Sequence, residues 1–504
     1  MIRIKKEGSM KILMVAPEYP ATFWSFKYAL PFVNRKTSLP PLGLLTISSM
    51  LPSYWEKKLV DLSARPLKDE DIKWADWVFV SAMIVQKKSA QEVINRAKAL
   101  GKKVAAGGPV FTTGYSEFNN VDAFVLNEGE PSIAEFAADL EAGNARHIYS
   151  SDVKPDITKT PAPDWSLLNM KDYASMAMQV SRGCPFDCEF CDIIVINGRV
   201  PRVKAPEQVI AEFDSLYAAG WKGSLFIVDD NFIGNKEKVK AILREIAVWM
   251  KMMKRPFTLY TEASINLADD QELMTLMQKA NFNSVFVGIE TPSQEALQSC
   301  GKVQNVGKDL EEKVKILQRN GLQVQAGFIL GFDTDTHKIF DDMIAFVQKT
   351  GIVTAMVGML NALPETRLYK RLKEAGRLLQ KPSDGNNTDF TVNFIPKMDT
   401  KLLVEGYKKV LNSIFCPEKY TARIITFLKE YKATAIETRH SFVMKINAVI
   451  SAVWILGLFG KGKRHFWKLM FWTAMKKPSL LPEAVTLAIY GFHFRTVLTN
   501  DMQV

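Results

Sequence analysis

With 504 residues, of which 47% are apolar and 24% charged, the chain is long enough for about three domains of ~150 residues each and too apolar to be disordered. The formal net charge of +11 admits a nucleic acid, an anionic membrane face or an acidic substrate as partner and by itself selects none. Five cysteines, three of them clustered, exclude a disulfide framework and point to a reducing interior compartment.

Residues 1–9 are short and polar, carry no apolar signal core, and read as an extended or alternative start ahead of the first strand at Met10. From 10 to 150, apolar runs alternate with helical spacing. Residues 11–16, 58–62, 77–82, 103–106 and 123–126 read as five buried strands, and 90–100 and 132–140 as helices. This predicts an α/β fold opening on a doubly wound parallel sheet, with ligands beyond the carboxyl ends of its strands. Those ends carry Pro17-Glu-Tyr-Pro20, Ser81-Ala-Met83, Gly107-Gly-Pro109 and Asn127-Glu-Gly-Glu130, and a Pro40-Pro-Leu-Gly43 loop follows the first strand. Small residues there admit a large flat ligand to the backbone, although ordinary turns use the same residues. Residues 151–175, with Pro155, Pro161 and Pro163 among polar neighbours, read as a linker.

A second alternation occupies 176–397. Strands are expected near 176–180, 224–228, 258–261, 284–288, 323–330 and 354–359, with helices such as 206–219 and 236–253 between them. Six strand–helix units fit an open, partial (β/α)6 barrel. Just past the first of these strands, Cys184, Cys188 and Cys191 form a Cys-x3-Cys-x2-Cys run in a loop shaped by Gly183, Pro185 and Phe186. Three thiolates can converge on one soft metal centre. A closed zinc site wants a fourth ligand, and the five histidines offer none nearby. A 4Fe–4S cluster on three cysteines leaves one iron open to an exogenous ligand. Three small buried hydrophobes is the weaker reading, because a loop bearing glycine and proline is a poor place to bury thiols. Cys300 and Cys416 read as inert thiols.

The remainder, 398–504, reads as a helical accessory region without internal repeats. Residues 446–460 are apolar but short for a membrane span, so a buried helix is the first reading. An interfacial contact is the second, since Lys461-Gly-Lys-Arg-His-Phe-Trp-Lys468 mixes cations with aromatic rings.

The run Ser181-Arg-Gly-Cys-Pro-Phe-Asp-Cys-Glu-Phe-Cys191 resembles the signature of the radical SAM superfamily, in which three cysteines hold a 4Fe–4S cluster and S-adenosylmethionine (SAM) chelates its fourth iron. The preceding sheet with its strand-end loops, Phe23-Trp-Ser-Phe26, Lys302-Val-Gln-Asn305 and the helical tail make the chain similar to the cobalamin-dependent branch, which includes the hopanoid C-2 methylases. That resemblance implies SAM contacts at Phe190, which also suits a core Phe, and at Asp229, Asp230, Asn231, Glu262, Ser264, Glu290 and Gly331, each of which also suits a plain cap or turn. It implies cobalamin contacts at Pro41, Gly43, Ser81, Met83, Gly107, Gly108, Glu128 and Gly129. The cobalt-ligating His of many cobalamin proteins is missing from Asp61-Leu-Ser-Ala-Arg65, so ligation by a protein histidine is not expected.

The implied activity is C-methylation of an unactivated carbon of a hydrophobic substrate, a hopanoid or another lipid. A deoxyadenosyl radical would remove hydrogen and methylcobalamin would supply the methyl group, at two SAM molecules per turnover. Cyclisation, ring rearrangement or carbon–carbon coupling without net methylation is the alternative, and a non-catalytic iron–sulfur sensor the remote one. An electron donor such as a flavodoxin or ferredoxin is implied, nucleic acid is not, and the expected location is cytoplasmic, with peripheral contact at the inner membrane face.

Overall fold

The computed structural model describes residues 9–379, 385–386, 388–434 and 447–501, so the start ahead of Ser9 and the first residue of the 446–460 stretch lie outside the described residues. The chain divides into two compact units. One holds residues up to Pro20 with Lys36–Ala174 and Ala211–Trp221, and the other holds Ala21–Arg35, Ser175–Ile210 and everything from Lys222 onward.

The first unit is built on a six-stranded sheet of β1 (Lys11–Ala16), β2 (Glu56–Asp61), β3 (Trp77–Ser81), β4 (Lys103–Gly107), β5 (Ala123–Leu126) and β6 (Ile148–Ser150). Its order is β2-β1-β3-β4-β5-β6 with every neighbouring pair parallel. Alternate residues serve opposite faces: Leu13, Val15, Val78, Val80 and Val104 bury into one core, and Ile12, Met14, Trp77, Phe79 and Ala105 into the other. Both faces are covered, as a doubly wound sheet requires. Strand order reverses between β1 and β3, which places a crevice beyond their carboxyl ends. The sequence pattern yields five of these strands. The sixth, β6, is three residues long with Ile148 and Ser150 exposed at the sheet edge, too short to leave a periodic signal.

The second unit carries β7 (Ser175–Met178), a small antiparallel pair β8 (Ser181–Arg182) and β9 (Arg202–Val203), then β10 (Gly223–Ile227), β11 (Phe257–Glu262), β12 (Phe282–Glu290), β13 (Gln323–Leu330) and β14 (Ala355–Met359). The large sheet runs β14-β13-β12-β11-β10-β7, parallel throughout, each strand beside its predecessor in the chain. Helices Lys236–Met252, Gln271–Lys279, Leu310–Arg319, Ile339–Thr350 and Arg367–Glu374 return the chain between strands and after the last, giving a half-barrel. Asn235, Asp270, Asp309 and Thr366 each accept a backbone N–H in the first turn of a helix, a cap contributing about 1 kcal/mol.

Helices Thr400–Phe415, Pro417–Glu430, Lys463–Lys476 and Leu481–Asp501, with a π-helical stretch at Val453–Phe459, complete this unit. Arg423, fully buried on Pro417–Glu430, donates to Gln348 Oε1 and the carbonyls of Ile414 and Val353, tying these helices to the half-barrel. Ala21–Arg35 leaves the first sheet's stretch of sequence to pack here: Phe23 stacks on Phe494 at 4.0 Å, and Trp24 meets Phe286 of β12 edge-on at 5.4 Å. Among the described residues no helix is long and apolar enough to cross a membrane.

Candidate active site

The cysteine loop leaves β7 at the carboxyl end of the half-barrel, and each turn of it is pinned. Gly183 sits at φ 98° with the Gly198 carbonyl 2.8 Å from where a Cβ would be, so a side chain is barred there on both counts. Cys184 N–H donates to that carbonyl at 3.2 Å. Further along, Glu189 N–H donates to Cys300 O at 2.9 Å, and Leu368 N–H to Glu189 O at 2.8 Å. Arg371 forks onto Glu189 at 2.6 and 3.1 Å while its other nitrogen reaches Asp333 at 2.9 Å. Asp187 is held by Arg367, which donates to its carbonyl at 2.6 Å. A loop fixed at this many points can present its sulfurs in a set geometry.

All three thiols are free. Asn231 Nδ2 points at Cys184 Sγ at 3.7 Å, and Gln304 Nε2 at Cys188 Sγ at 3.9 Å. Lys302, paired with Glu290 at 2.6 Å and largely buried, acts electrostatically on the Cys188 and Cys191 sulfurs. Burial pushes the Cys188 thiol up and the Cys191 thiol to about 12, with Lys302 opposing both shifts. Thiolates at these positions therefore need the charge of a bound metal, which deprotonates a coordinating thiol outright. Among the described residues no three His, Cys, Asp or Glu side chains converge on one ion. Three cysteines, two of them with amide donors on their sulfurs, fit a polynuclear iron–sulfur cluster, in which each cysteine serves its own iron.

The strand-end residues fall into two sets. Some brace the loop: buried Asp229 accepts from Val180 N and Ser181 Oγ, both at 2.7 Å, and Asp230 accepts from Gly183 N and Asn197 Nδ2, both at 2.9 Å. Asn231 Oδ1 takes the Ser264 N–H at 3.2 Å, while Ser264 Oγ donates to Asn266 Oδ1 at 2.7 Å. Gly331, at φ 105°, donates its N–H to Asp335 Oδ2 at 2.8 Å. Phe190 meets Phe332 edge-on at 6.1 Å.

Glu262 stands apart, because its carboxyl has no hydrogen-bond or ion-pair partner among the described residues. Burial first, and then the nearby Asp230 and Asp229, push it to about 8. Burial likewise pushes Asp229 to about 7. A cluster of carboxyls with raised values, Asp229 buried and Asp230 and Glu262 partly so, suits a cationic ligand, whose charge would restore their ionised forms. Gln304 Oε1 and Asn305 Oδ1 are buried without partners among the described residues. The direct roles of Lys302 and Gln304 escaped the sequence reading, which registered their stretch only as part of a resemblance.

The other candidate group lines the carboxyl edge of the first sheet. Ser81 ends β3, and its Oγ lies 2.7 Å from where a Gly108 Cβ would be; Met83 beyond it is 52% exposed. A Cβ on Gly107 would meet Val125 O at 2.8 Å and one on Gly129 would meet Ile47 Cδ1 at 2.7 Å, whereas Gly43, just after Pro41, faces open space. Glu128 pairs with Lys154 at 3.7 Å. Asp61, where many cobalamin proteins open their His motif, accepts instead from Ser63 N at 2.9 Å and Tyr173 Oη at 3.2 Å.

Comparison with known proteins agrees with this arrangement. Residues 178–347 match the radical SAM superfamily, and 366–503 match a domain of unknown function, DUF4070. An uncharacterised methyltransferase of Synechocystis is 40% identical over 489 residues, spanning 96% of this chain and 91% of its own length. The hopanoid C-2 methylase of Rhodopseudomonas palustris is 32% identical over 474 residues, spanning 92% and 89%. In fold the chain is similar to the cobalamin-dependent SAM radical enzyme OxsB with aqua-cobalamin bound (TM-score 0.63, 15% identity, 98% of this chain and 81% of that one). It is also similar to the radical SAM methyltransferase TsrM of Kitasatospora setae (TM-score 0.56, 17% identity, 73% and 75%). The chain belongs to the radical SAM family of methyltransferases that contains the hopanoid C-2 methylase, and it has the fold of the cobalamin-dependent radical SAM enzymes.

Proposed function

We propose that this protein methylates an unactivated carbon of a hydrophobic substrate, a hopanoid or another lipid, with a 4Fe–4S cluster, SAM and cobalamin as cofactors. The observation that carries the reading is the pinned loop of three free cysteines with amide donors on two sulfurs, in a chain 32% identical to a hopanoid C-2 methylase across 92% of its length. When bound, the cluster supplies the electron that opens the SAM sulfonium bond, and the corrin supplies the methyl group.

Cys184, Cys188 and Cys191 hold the cluster in this reading, and Asn231, Gln304 and Lys302 set its electrostatic surroundings. Glu262 and Asp230 receive the cationic end of SAM, Glu290 and Gly331 bound its seat on the neighbouring strands, and Phe190 packs at the adenine. Asp229 acts one step back, holding the loop that SAM approaches. Pro41, Gly43, Ser81, Met83, Gly107, Gly108, Glu128 and Gly129 form the corrin-facing edge in this reading, with open space at Gly43, while Gly107, Gly108 and Gly129 let the strand-end loops pack closely on one another. The domain scheme is a cobalamin-binding sheet over 10–150, a linker, a half-barrel over 176–397 and a helical region beyond it. A flavodoxin- or ferredoxin-type donor supplies electrons, and the helical region touches the inner membrane face.

The test is anaerobic reconstitution with iron, sulfide and cobalamin, followed by incubation with SAM, a strong reductant and lipid extract. Deoxyadenosine together with a lipid heavier by one methyl group is expected. Deoxyadenosine with a lipid changed only by loss of hydrogen or by ring rearrangement would transfer the reading to the non-methylating alternative. Release of none, with or without lipid, would remove the enzymatic reading.

A further inference from the structure

The helical region contains a cavity that the chemistry above does not use. It measures about 640 Å³, within the range of small-molecule sites. Ile424, Leu456, Phe466, Leu469 and Phe492 line it with hydrocarbon, and Arg495 joins them. Arg495 lies on Leu481–Asp501 and is partly buried, with its guanidinium 5.7 Å from the Tyr420 ring centroid. No carboxylate pairs with it among the described residues, and burial pulls it below its ordinary value. A guanidinium held in an apolar wall without an anion is costly.

Phe459 also lines the cavity and is 72% exposed, so the opening lies beside it at the surface. Lys461 lines the cavity as well, and on the same two helical stretches Trp454, Leu458 and Phe471 are exposed, as are Lys463, Arg464 and Lys468. Apolar rings interspersed with cations are what an anionic lipid surface attracts.

We propose that this cavity binds a long-chain anionic amphiphile, its tail among Leu456, Phe466 and Leu469 and its head paired with Arg495. The charge and the hydrocarbon are both required, since among the described residues no carboxylate answers the guanidinium and the cavity wall around it is apolar. The proposal does not depend on the radical chemistry of the cysteine loop.

Native mass spectrometry and fluorescence titration of the full-length protein with oleate, and separately with oleyl alcohol, test it. A one-to-one oleate complex, bound at least about tenfold more tightly than the alcohol, is expected. R495Q removes that preference, R495K retains most of it, and thermal denaturation of each shows that the fold is intact. A488F, which fills the cavity from the same helix and leaves Arg495 in place, weakens both ligands about tenfold or more. Equal affinity for oleate and the alcohol, an unchanged preference in R495Q, undiminished binding in A488F, or displacement of oleate by inorganic phosphate at similar concentration would each overturn the proposal.

Discussion

Lys302 Nζ lies 2.6 Å from Glu290 Oε1, with both side chains largely buried and the ammonium near enough to act electrostatically on Cys188 and Cys191. Burial opposes the ammonium, but Glu290 and Cys188 outweigh it and hold Lys302 above its ordinary range. The positive charge therefore persists at any working pH, and in the proposed reading it would favour a cluster on these cysteines gaining an electron.

Lys302→Met is expected to shift the reduction potential of the reconstituted cluster to more negative values and to slow SAM cleavage. It also leaves Glu290 buried and unpaired, a loss of about 3–5 kcal/mol. The double variant K302M/E290Q recovers much of the stability without the potential. Redox titration followed by electron paramagnetic resonance, beside thermal denaturation, separates the two effects; an unchanged potential in K302M would exclude the electrostatic role.

Asn231→Leu and Gln304→Leu each remove an N–H directed at a cysteine sulfur that would ligate the cluster. Such hydrogen bonds favour the reduced state, so each variant should assemble a cluster with normal absorbance but a lower potential. Cys188→Ala, by contrast, should lose both the absorbance and deoxyadenosine formation. Equal potentials in wild type and both amide variants would show that the donors serve packing alone.

Glu262, raised to about 8, is mainly protonated at neutral pH. A cationic ligand prefers its ionised form, so SAM affinity should rise by up to about tenfold per pH unit below 8 and level off above it. Glu262→Gln should bind SAM more weakly above pH 8 and show a flatter profile. Equilibrium dialysis against SAM at several pH values measures this, and an unaltered profile in the variant would dismiss Glu262 as the receiving group.

His493 accepts from Tyr28 N–H at Nδ1 (3.3 Å), and its Nε2 lies 3.0 Å from Phe23 O, so the neutral ring carries its proton on Nε2. Burial depresses it from 6.5 to about 4. A depressed base contributes stability in full above its unfolded value, and that contribution is lost as pH falls from 6.5 to about 4, amounting to about 3 kcal/mol. His493→Gln, whose amide can still donate to Phe23 O, should flatten the fall in melting temperature across this window. A fall of the same size in the variant would assign it to other groups.

The sequence by itself determined the two alternations of strand and helix, the three-cysteine loop and the family, because these rest on local periodicity and on residues close in the chain. The apolar run at 11–16 already shows a buried strand, and Gly183 with Pro185 already marks a tight loop at the cysteines. Only the tertiary structure decided what surrounds the cysteines. Asn231 comes from a strand end 47 positions beyond Cys184, and Gln304 from a loop 116 positions beyond Cys188, so no spacing rule connects them. The same holds for Phe23, which lies in sequence within the first unit and packs in the second against Phe494. Burial is a property of the assembled fold, so the unpaired carboxyl of Glu262 and the unanswered charge of Arg495 became visible only once their surroundings were in place. The cysteine loop announces a cluster in one dimension; what tunes that cluster is assembled in three.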